Sequence, residues 1–375
     1  MHGNDNDNDI DFAELRALRE RLDGVDRALV ETIAERQKLV ADIGALKSAR
    51  GHQTRDFRRE RAVLERVSAT AEAAGLDAGL ATDVLALLIR ASLQHQEQAR
   101  VRAEGTGGGQ SVLIVGGAGR MGRWFREFFH SQGFQTAVAD PAADPEAPGN
   151  YADLASAGVD YDIIVVATTL ARSADVLDAL VELAPRGLIF DVGSLKSPLR
   201  KPLERLAEAG LRVTSVHPMF GPDTQLLAGK HVIFVDVGHA EATATARDLF
   251  ASTMASCVDM DLDQHDRVIA DVLGLSHATG IAFADALASS ASVPHGVTQM
   301  TSPTFDAQLE TASKVLHESP ELYYEIQKLN DYGLDALERL ATSVNRLRDA
   351  VRDGKHDTFI DIMRDGRRFI DEDIG

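Results

Sequence analysis

The sequence predicts a multidomain chain of mixed α and α/β class. An all-helical N-terminal domain is followed by a largely parallel α/β domain and then by an all-helical C-terminal domain. Three observations predict this order. Before residue 104, apolar residues recur at spacings of three and four, the period of an amphipathic helix. Residues 111–260 alternate short β-branched runs with helical patterns, which is the signature of a parallel sheet covered by helices. From Asp261 the strand signal vanishes and helical periodicity runs to the end. The expected boundaries are a disordered acidic lead at 1–10, a helical domain at 11–104, a Gly-rich linker at 105–110, an α/β domain at 111–260 and a helical domain at 261–375.

Composition narrows the class. With 375 residues, 44% hydrophobic and 26% charged, the chain can bury several cores and is ordinary for a globular protein. No unbroken apolar run approaches the ~20 residues that span a bilayer, so no membrane role is expected. The lead MHGNDNDNDID is the opposite of a signal peptide. One cysteine, Cys257, rules out an internal disulfide and fits a reducing cytoplasm. The net charge of -19 is carried mostly after residue 104, and an acidic body repels nucleic acid and anionic lipid. The histidines are scattered away from carboxylates at ligand spacing, so no metal is expected.

In the front segment Leu15, Leu18, Leu22, Val25 and Leu29 define one seam, and residues 11 to about 50 read as a single long helix. The same register brings Arg36 onto the seam. A buried charge needs a partner or an anionic ligand, whereas a snorkelling arginine needs neither, and the pattern leaves both readings open. A second helix opens at RDFRRER, with Asp56 as a cap and Arg59 and Glu60 in its first turns. A third spans about Asp77 to Arg102 and carries Ser92 and Gln96 on one face.

Taken together, Arg19, Arg36, Lys47, Asp56, Arg59, Glu60, Ser92 and Gln96 make residues 11 to about 103 resemble the AroQ-type chorismate mutase domain. The resemblance implies that Lys47 and Gln96 donate to the ether oxygen of chorismate, and that Arg36 and Arg59 help hold the substrate. Arg19, Asp56, Glu60 and Ser92 complete the implied set. The chemistry agrees: an internal rearrangement of a dicarboxylate needs no nucleophile, only a clamp and stabilisation of developing charge. Guanidinium forks suit carboxylates. Arg19 and Arg36 are separated by roughly 25 Å along a straight helix at ~1.5 Å per residue, too far to share one small ligand. Arg19 therefore either has no role or serves a second chain, and a homodimer is expected.

After the glycines, SVLIV (111–115) runs into GGAGRMG, a helical pattern, and the strand FQTAVAD ending at Asp140. Strand, G-x-G-x-x-G, helix, strand and acidic residue in that order form the Rossmann dinucleotide fingerprint. Gly116, Gly117, Gly119, Arg120, Met121 and Gly122 are the candidate cofactor residues. Asp140 is placed for the adenosine ribose, which favours NAD over NADP. Further strands are expected at 162–168, 188–194, 212–218 and 231–237, with some antiparallel pairing near the end. DVGSLKSP and SVHPMFGPD place Ser194 and His217 at strand C-terminal ends, where open α/β sheets bind ligands. Either residue alone is more often structural.

GGAGRMG, DVGSLKSP and HPMFGPD make residues 111 to about 335 resemble prephenate dehydrogenase, and the whole resembles the mutase–dehydrogenase fusion of tyrosine biosynthesis. The resemblance implies hydride loss from prephenate to NAD, then decarboxylation to 4-hydroxyphenylpyruvate. It makes His217 the acceptor of the C4 hydroxyl proton and Ser194 the group that orients the hydroxyl and His217. His277 is implied near the substrate, and His265-Asp266 matches an HD pair that otherwise reads as helix packing. Lys314 stands where the family usually has an arginine for the side-chain carboxylate of prephenate. That departure leaves arogenate or 4-amino-4-deoxyprephenate as alternative substrates, with the front segment as a dimerisation or effector-binding module. Feedback by tyrosine is a further implication of the family.

Overall fold

The computed structural model describes residues 5–49, 57–290 and 301–374. Helix α1 (Asp5–Ala49) is continuous over 45 residues, so the described part of the acidic lead is helical rather than disordered. Carboxylates are favoured at a helix N-terminus, and an acidic tract is no barrier to extension there. Helix α2 (Phe57–Ala73) and α3 (Ala78–Ala103) complete the front domain; Asp77 caps α3 by accepting the Leu80 N–H at 2.7 Å. The seam residues Leu15, Leu18, Leu22, Val25 and Leu29 of α1 are 42–64% exposed, and Leu39, Ile43 and Leu46 continue the stripe. An apolar stripe of that length on one helix marks an interaction surface.

The residues between the first two domains are docked rather than slack. Gly107 donates to the Gln132 carbonyl at 3.1 Å, and Gln110 accepts from Gln135 at 2.8 Å. A Cβ at Gly107 would stand 2.4 Å from the Phe134 nitrogen, and one at Gly105 2.6 Å from the Gln132 oxygen. The glycines permit close backbone approach, which corrects the expectation of a mere linker.

The middle domain is one eight-stranded sheet of order β3-β2-β1-β4-β5-β6-β7-β8. Its strands are β1 (Ser111–Val115), β2 (Gln135–Ala139), β3 (Asn150–Tyr151), β4 (Ile163–Val166), β5 (Leu188–Asp191), β6 (Val213–Pro218), β7 (His231–Val235) and β8 (Ser256–Met260). Only the β6–β7 pairing is antiparallel. Sequence reading missed β3 and β8: the first is two residues long, and SCVDM in the second has no continuous apolar run. Side chains alternate across the sheet as the period of two requires. Val112 and Ile114 face the aromatic layer of α4 (Arg120–Ser131) and α8 (Ala240–Asp248), built on Phe125, Phe129 and Phe250. Leu113 and Val115 face α6 (Leu170–Leu183) and α7 (Arg200–Glu208). A short helix, α5 (Leu154–Ala157), follows β3.

The C-terminal domain runs through α9 (Leu262–Ile269), a π-helical turn (Ala270–Leu275) and α10 (Ser276–Ala288). It continues with α11 (Pro303–Leu316), α12 (Pro320–Leu329), α13 (Gly333–Arg352) and α14 (His356–Phe369). Leu262, His265, Asp266 and Ile269 form the buried face of α9, and Leu262 and Ile269 join the α6–α7 layer of the sheet core. The 27-residue helical run Leu262–Ala288 is, by length and composition, long and apolar enough to cross a membrane, although charged residues break it into shorter apolar stretches. Its His265 is nevertheless bonded to His217 of β6, and its Asp266 to Ser197 in the turn after β5.

Candidate active sites

The glycine turn follows β1 directly. Gly116 has φ +87°, and a Cβ on Gly122 would lie 2.2 Å from the Gly116 oxygen. A Cβ on Gly117 would press within 2.6 Å of Val138, and one on Gly119 would lie 3.2 Å from the Gly116 oxygen. Gly116, Gly117 and Gly122 leave no room for a side chain and Gly119 leaves little, and the turn delivers backbone to the N-terminus of α4, the geometry that binds a pyrophosphate. At the end of β2, Asp140 accepts from Ala118 N–H at 3.0 Å and Ala142 N–H at 2.8 Å, one on each carboxylate oxygen. Each oxygen keeps a lone pair for a ribose hydroxyl. Met121 packs against the aromatic layer. Arg120 donates to Asp223 at 2.9 Å and to Glu318 at 3.3 Å, tying the turn to the segment after His217 and to the α11–α12 connection.

His217 lies near the C-terminal end of β6, 4% exposed, at the same edge of the parallel sheet as the glycine turn. Its Nδ1 is 2.9 Å from Nε2 of His265, and Nδ1 of His265 is 2.6 Å from Asp266. Asp266 also accepts from the Lys196 N–H at 2.9 Å and from the backbone and hydroxyl of Ser197. Burial, then the neighbouring His265 and Lys196, push the His217 pKa well below the usual histidine value. Burial lowers His265 as well, against the pull of Asp266. For Asp266, burial acts upward, but the hydrogen bonds from His265, Ser197 and Lys196 leave the carboxyl below its ordinary value. Lys196, fully buried, spends its ammonium on Asp191 (2.8 Å), Gly193 O (2.7 Å) and Val216 O (3.0 Å), stitching β5 to β6.

The other expected dehydrogenase residues fall less neatly. Ser194 is half-buried and makes no hydrogen bond among the described residues; the group oriented against His217 is His265, and the serine bonded into that cluster is Ser197. His277 lies on α10 with its ring 4.4 Å from Tyr323, its Nδ1 buried without a partner and its pKa lowered by burial. Lys314 is exposed on α11 and pairs with Glu310 one turn earlier at 2.7 Å.

In the front domain, Arg36 donates to Ser92 Oγ at 3.0 Å and to the Leu88 carbonyl at 3.3 Å, and burial lowers its pKa. The guanidinium is thus turned inward toward α3. Ser92 is 2.6 Å from Gln37 Oε1, and Gln96 donates to the Val40 carbonyl at 2.9 Å. Gly44 makes room for Gln96: a Cβ there would sit 3.0 Å from its amide nitrogen. Gln37 and Gly44 were not singled out from sequence, though both continue the inner face that Arg36 marks. Gln37, Val40, Gly44, Ser92 and Gln96 line a cavity of about 450 Å³, in the range of small-molecule sites. Lys47 is half-buried in the last turn of α1, Arg59 is exposed and Glu60 half-buried in the first turn of α2. Arg19 is exposed far along α1 from this cavity, and Asp56 lies outside the described residues.

Helix α3 belongs to both halves. Its Glu97, 3% exposed, accepts from the Leu227 N–H at 2.7 Å and from the Met254 N–H. Burial raises its pKa, with those two bonds and Arg100 opposing. Arg100 donates to the carbonyls of Ser252 and Thr253. On another face of the same helix, Ser92 and Gln96 line the mutase-like cavity.

A helical domain with an arginine, Arg36, turned inward beside a cavity, joined to a sheet with a dinucleotide turn and a buried histidine, has the makeup of a two-site enzyme of the isomerase–oxidoreductase kind. The family models agree: chorismate mutase type II matches residues 18–97, the nucleotide-binding domain of prephenate dehydrogenase matches 143–258, and its dimerization domain matches 261–365. Together these three matches, in this order, support a type II chorismate mutase joined to a prephenate dehydrogenase on one chain. The T-protein of Enterobacter agglomerans is 28% identical over 87% of this chain and 85% of its own length. The T-protein of Haemophilus influenzae is 24% identical over 92% and 90%. Among solved structures, the prephenate dehydrogenase of A. aeolicus in complex with hydroxyphenyl propionate and NAD+ shares the fold at a TM-score of 0.55 and 19% identity, over 69% of this chain and 96% of that one.

Proposed function

We propose that this chain carries out two consecutive steps of tyrosine biosynthesis. Its front domain rearranges chorismate to prephenate, and its second half oxidises and decarboxylates prephenate to 4-hydroxyphenylpyruvate with NAD. The observation that carries the reading is the coexistence, on one chain, of a small-molecule cavity between α1 and α3, edged by the inward-turned Arg36–Ser92 pair, and a buried histidine at the same sheet edge as a dinucleotide turn.

In the first site Arg36 and Arg59 hold carboxylates, while Lys47 and Gln96 donate to the ether oxygen as negative charge develops there. Ser92 fixes Arg36, and Gly44 fixes the space for Gln96. The exposed seam of α1 is covered by a second copy, whose Arg19 completes each cavity; the 17-residue separation from Arg36 on one unbroken helix supports that division. The exposed Leu347, Val351 and Met363 of α13 and α14 offer a second surface for the same pairing.

In the second site the glycine turn and Asp140 hold NAD, which supplies the hydride acceptor when bound. His217 Nε2 accepts the C4 hydroxyl proton, and a neutral imidazole is required for that role. Ser194 orients the hydroxyl, and His277 and Lys314 bound the substrate from the helical domain. Tyrosine, a near relative of the product, is a feedback ligand in this reading, and the protein works in the cytoplasm.

Lys314 is the candidate ligand for the substrate's side-chain carboxylate. An exposed ion pair within one helix is weak, so Glu310 does not withhold Lys314 from a ligand. A lysine keeps the charge for the prephenate side-chain carboxylate but loses the fork. Prephenate is expected to turn over in preference to arogenate. Lys314→Arg should lower the KM for prephenate by about tenfold, the gain of a second charge-assisted hydrogen bond, with kcat unchanged. Steady-state kinetics on both substrates check this; unchanged constants on either would remove Lys314 from the site.

A further inference from the structure

We infer that His265 and Asp266 are positioning residues of the dehydrogenase site: they fix the tautomer of His217 and take up its displaced proton while the substrate reacts. This rests on the reading of His217 as the proton acceptor. It goes further by assigning a task to two residues of another domain, 48 positions away in the chain.

The hydrogen-bond directions follow from donor and acceptor inventory. Asp266 receives the Lys196 and Ser197 N–H groups and the Ser197 hydroxyl, so its oxygens act as acceptors throughout. Nδ1 of His265, 2.6 Å away, must therefore carry hydrogen. A neutral His265 then presents only a lone pair at Nε2. Two lone pairs facing one another at 2.9 Å in a fully buried site would leave both nitrogens unsatisfied, so His217 donates from Nδ1. The lone pair of His217 is thereby placed on Nε2, which has no hydrogen-bond partner among the described residues. The reverse tautomer would put a hydrogen where the base must accept one.

The same chain of bonds balances the reaction. The C4–H bond breaks with its electron pair passing to NAD, and the C4 hydroxyl proton passes to Nε2 of His217 as the C4 carbonyl forms. The Nδ1 proton of His217 shifts to Nε2 of His265. Positive charge then rests on His265, which is hydrogen-bonded to the Asp266 carboxylate, rather than on His217, which is not; Lys196 acts against charge on either ring. When the ring carboxylate leaves as carbon dioxide, its bonding pair aromatises the ring. The C4 oxygen recovers a proton from Nε2, and the His265 proton returns to Nδ1 of His217. No proton is gained or lost overall. The charged and titratable groups around the pair are Lys196 and Asp191 from the sheet side and Asp266 from α9; the first two are already matched to each other at 2.8 Å.

A purely structural pair would anchor α9 to the sheet and do no more, so the test needs a readout that anchoring does not move. In the full-length protein labelled with 15N-histidine, the His217 ring, assigned by its loss in His217→Asn, is expected to show the Nδ1–H tautomer. Asp266→Asn is expected to convert it toward Nε2–H or a mixture. The same variant should lose at least about 100-fold in dehydrogenase kcat, within the span of general-base effects, with the KM for prephenate and the mutase rate retained. His265→Phe, which keeps a buried ring but breaks the relay, should show the same kinetic loss and serves if Asp266→Asn fails to fold. A wild-type Nε2–H tautomer, or full kcat in folded Asp266→Asn or His265→Phe, overturns the inference. If the wild type produces no NADH from prephenate yet shows the Nδ1–H tautomer that Asp266→Asn alters, the function reading falls and the tautomer lock stands.

Discussion

His217→Asn is expected to lower prephenate turnover by about 10³-fold, because a positioned general base contributes ~10²–10⁴ and asparagine cannot accept a proton. The conversion of chorismate should be unchanged, since His217 lies in β6 and the mutase-like cavity is built from α1 and α3. The pH profile adds a signed test. His217 is held neutral by burial and by its cationic neighbour, so its pKa lies well below the usual value. Wild-type dehydrogenase activity should therefore persist as pH drops past 6.5, the unperturbed histidine value, and fall only as the lowered pKa is reached. His217→Asn should lack that acid limb. The fold shares the sign: for a group whose folded pKa is depressed, stability is present above the unfolded value and is lost as pH falls toward the folded one. Both His217 and His265 are in this class, so acid should weaken the docking of α9 on the sheet. Initial rates of NADH formation and acid unfolding curves check the two halves.

Arg36→Ala is the reciprocal experiment. A charged hydrogen bond to a carboxylate is worth about 1.5–3 kcal/mol, and loss of two such bonds in a clamp corresponds to a fall of roughly 10²–10⁴ in mutase kcat/KM. Part of the effect comes through position, because the guanidinium holds Ser92 and the Leu88 carbonyl in place. Dehydrogenase activity on added prephenate should be retained. The measurement is chorismate consumption followed in the absence of NAD. A variant that folds and keeps wild-type mutase kinetics would make Arg36 a packing residue, the reading its seam position also allows.

Local signals made much of this architecture legible. The three- and four-residue seam of α1 marks a helix because its period persists from Leu15 to Leu46, across the charge at Arg36. The glycine turn is legible because each glycine meets a steric demand visible in its spacing: a Cβ at Gly122 would strike the Gly116 carbonyl. The glycines at 105 and 107 carried the opposite lesson. A composition break looks the same whether glycine supplies slack or close approach, and only the neighbouring Gln132 and Phe134 backbone distinguishes them. Long-range partners were the least legible. His265 and Asp266 share the buried face of α9 with Leu262 and Ile269, a spacing open to reading as core, but nothing local says that their partner is a histidine on β6. Ser194 stood out for its place after β5, yet the neighbouring Ser197 is the one joined to the cluster. Lys196 stands with Ser194 in DVGSLKSP at a strand end where ligands bind, yet it is fully buried, and Asp191 and two carbonyls take its hydrogens. The role of α3 as a shared wall was also hidden, since Glu97 and Arg100 find their partners more than a hundred residues away.

The central claim is that one chain performs two consecutive reactions, and a single two-stage assay addresses it. The full-length protein is mixed with chorismate alone and chorismate loss is followed; NAD is then added and NADH is followed. The expected result is loss of chorismate without NAD, with accumulation of prephenate, and NADH formation on addition that ends in one 4-hydroxyphenylpyruvate per chorismate consumed. Chorismate left intact until NAD is added, or prephenate that accumulates and is never oxidised, would contradict it.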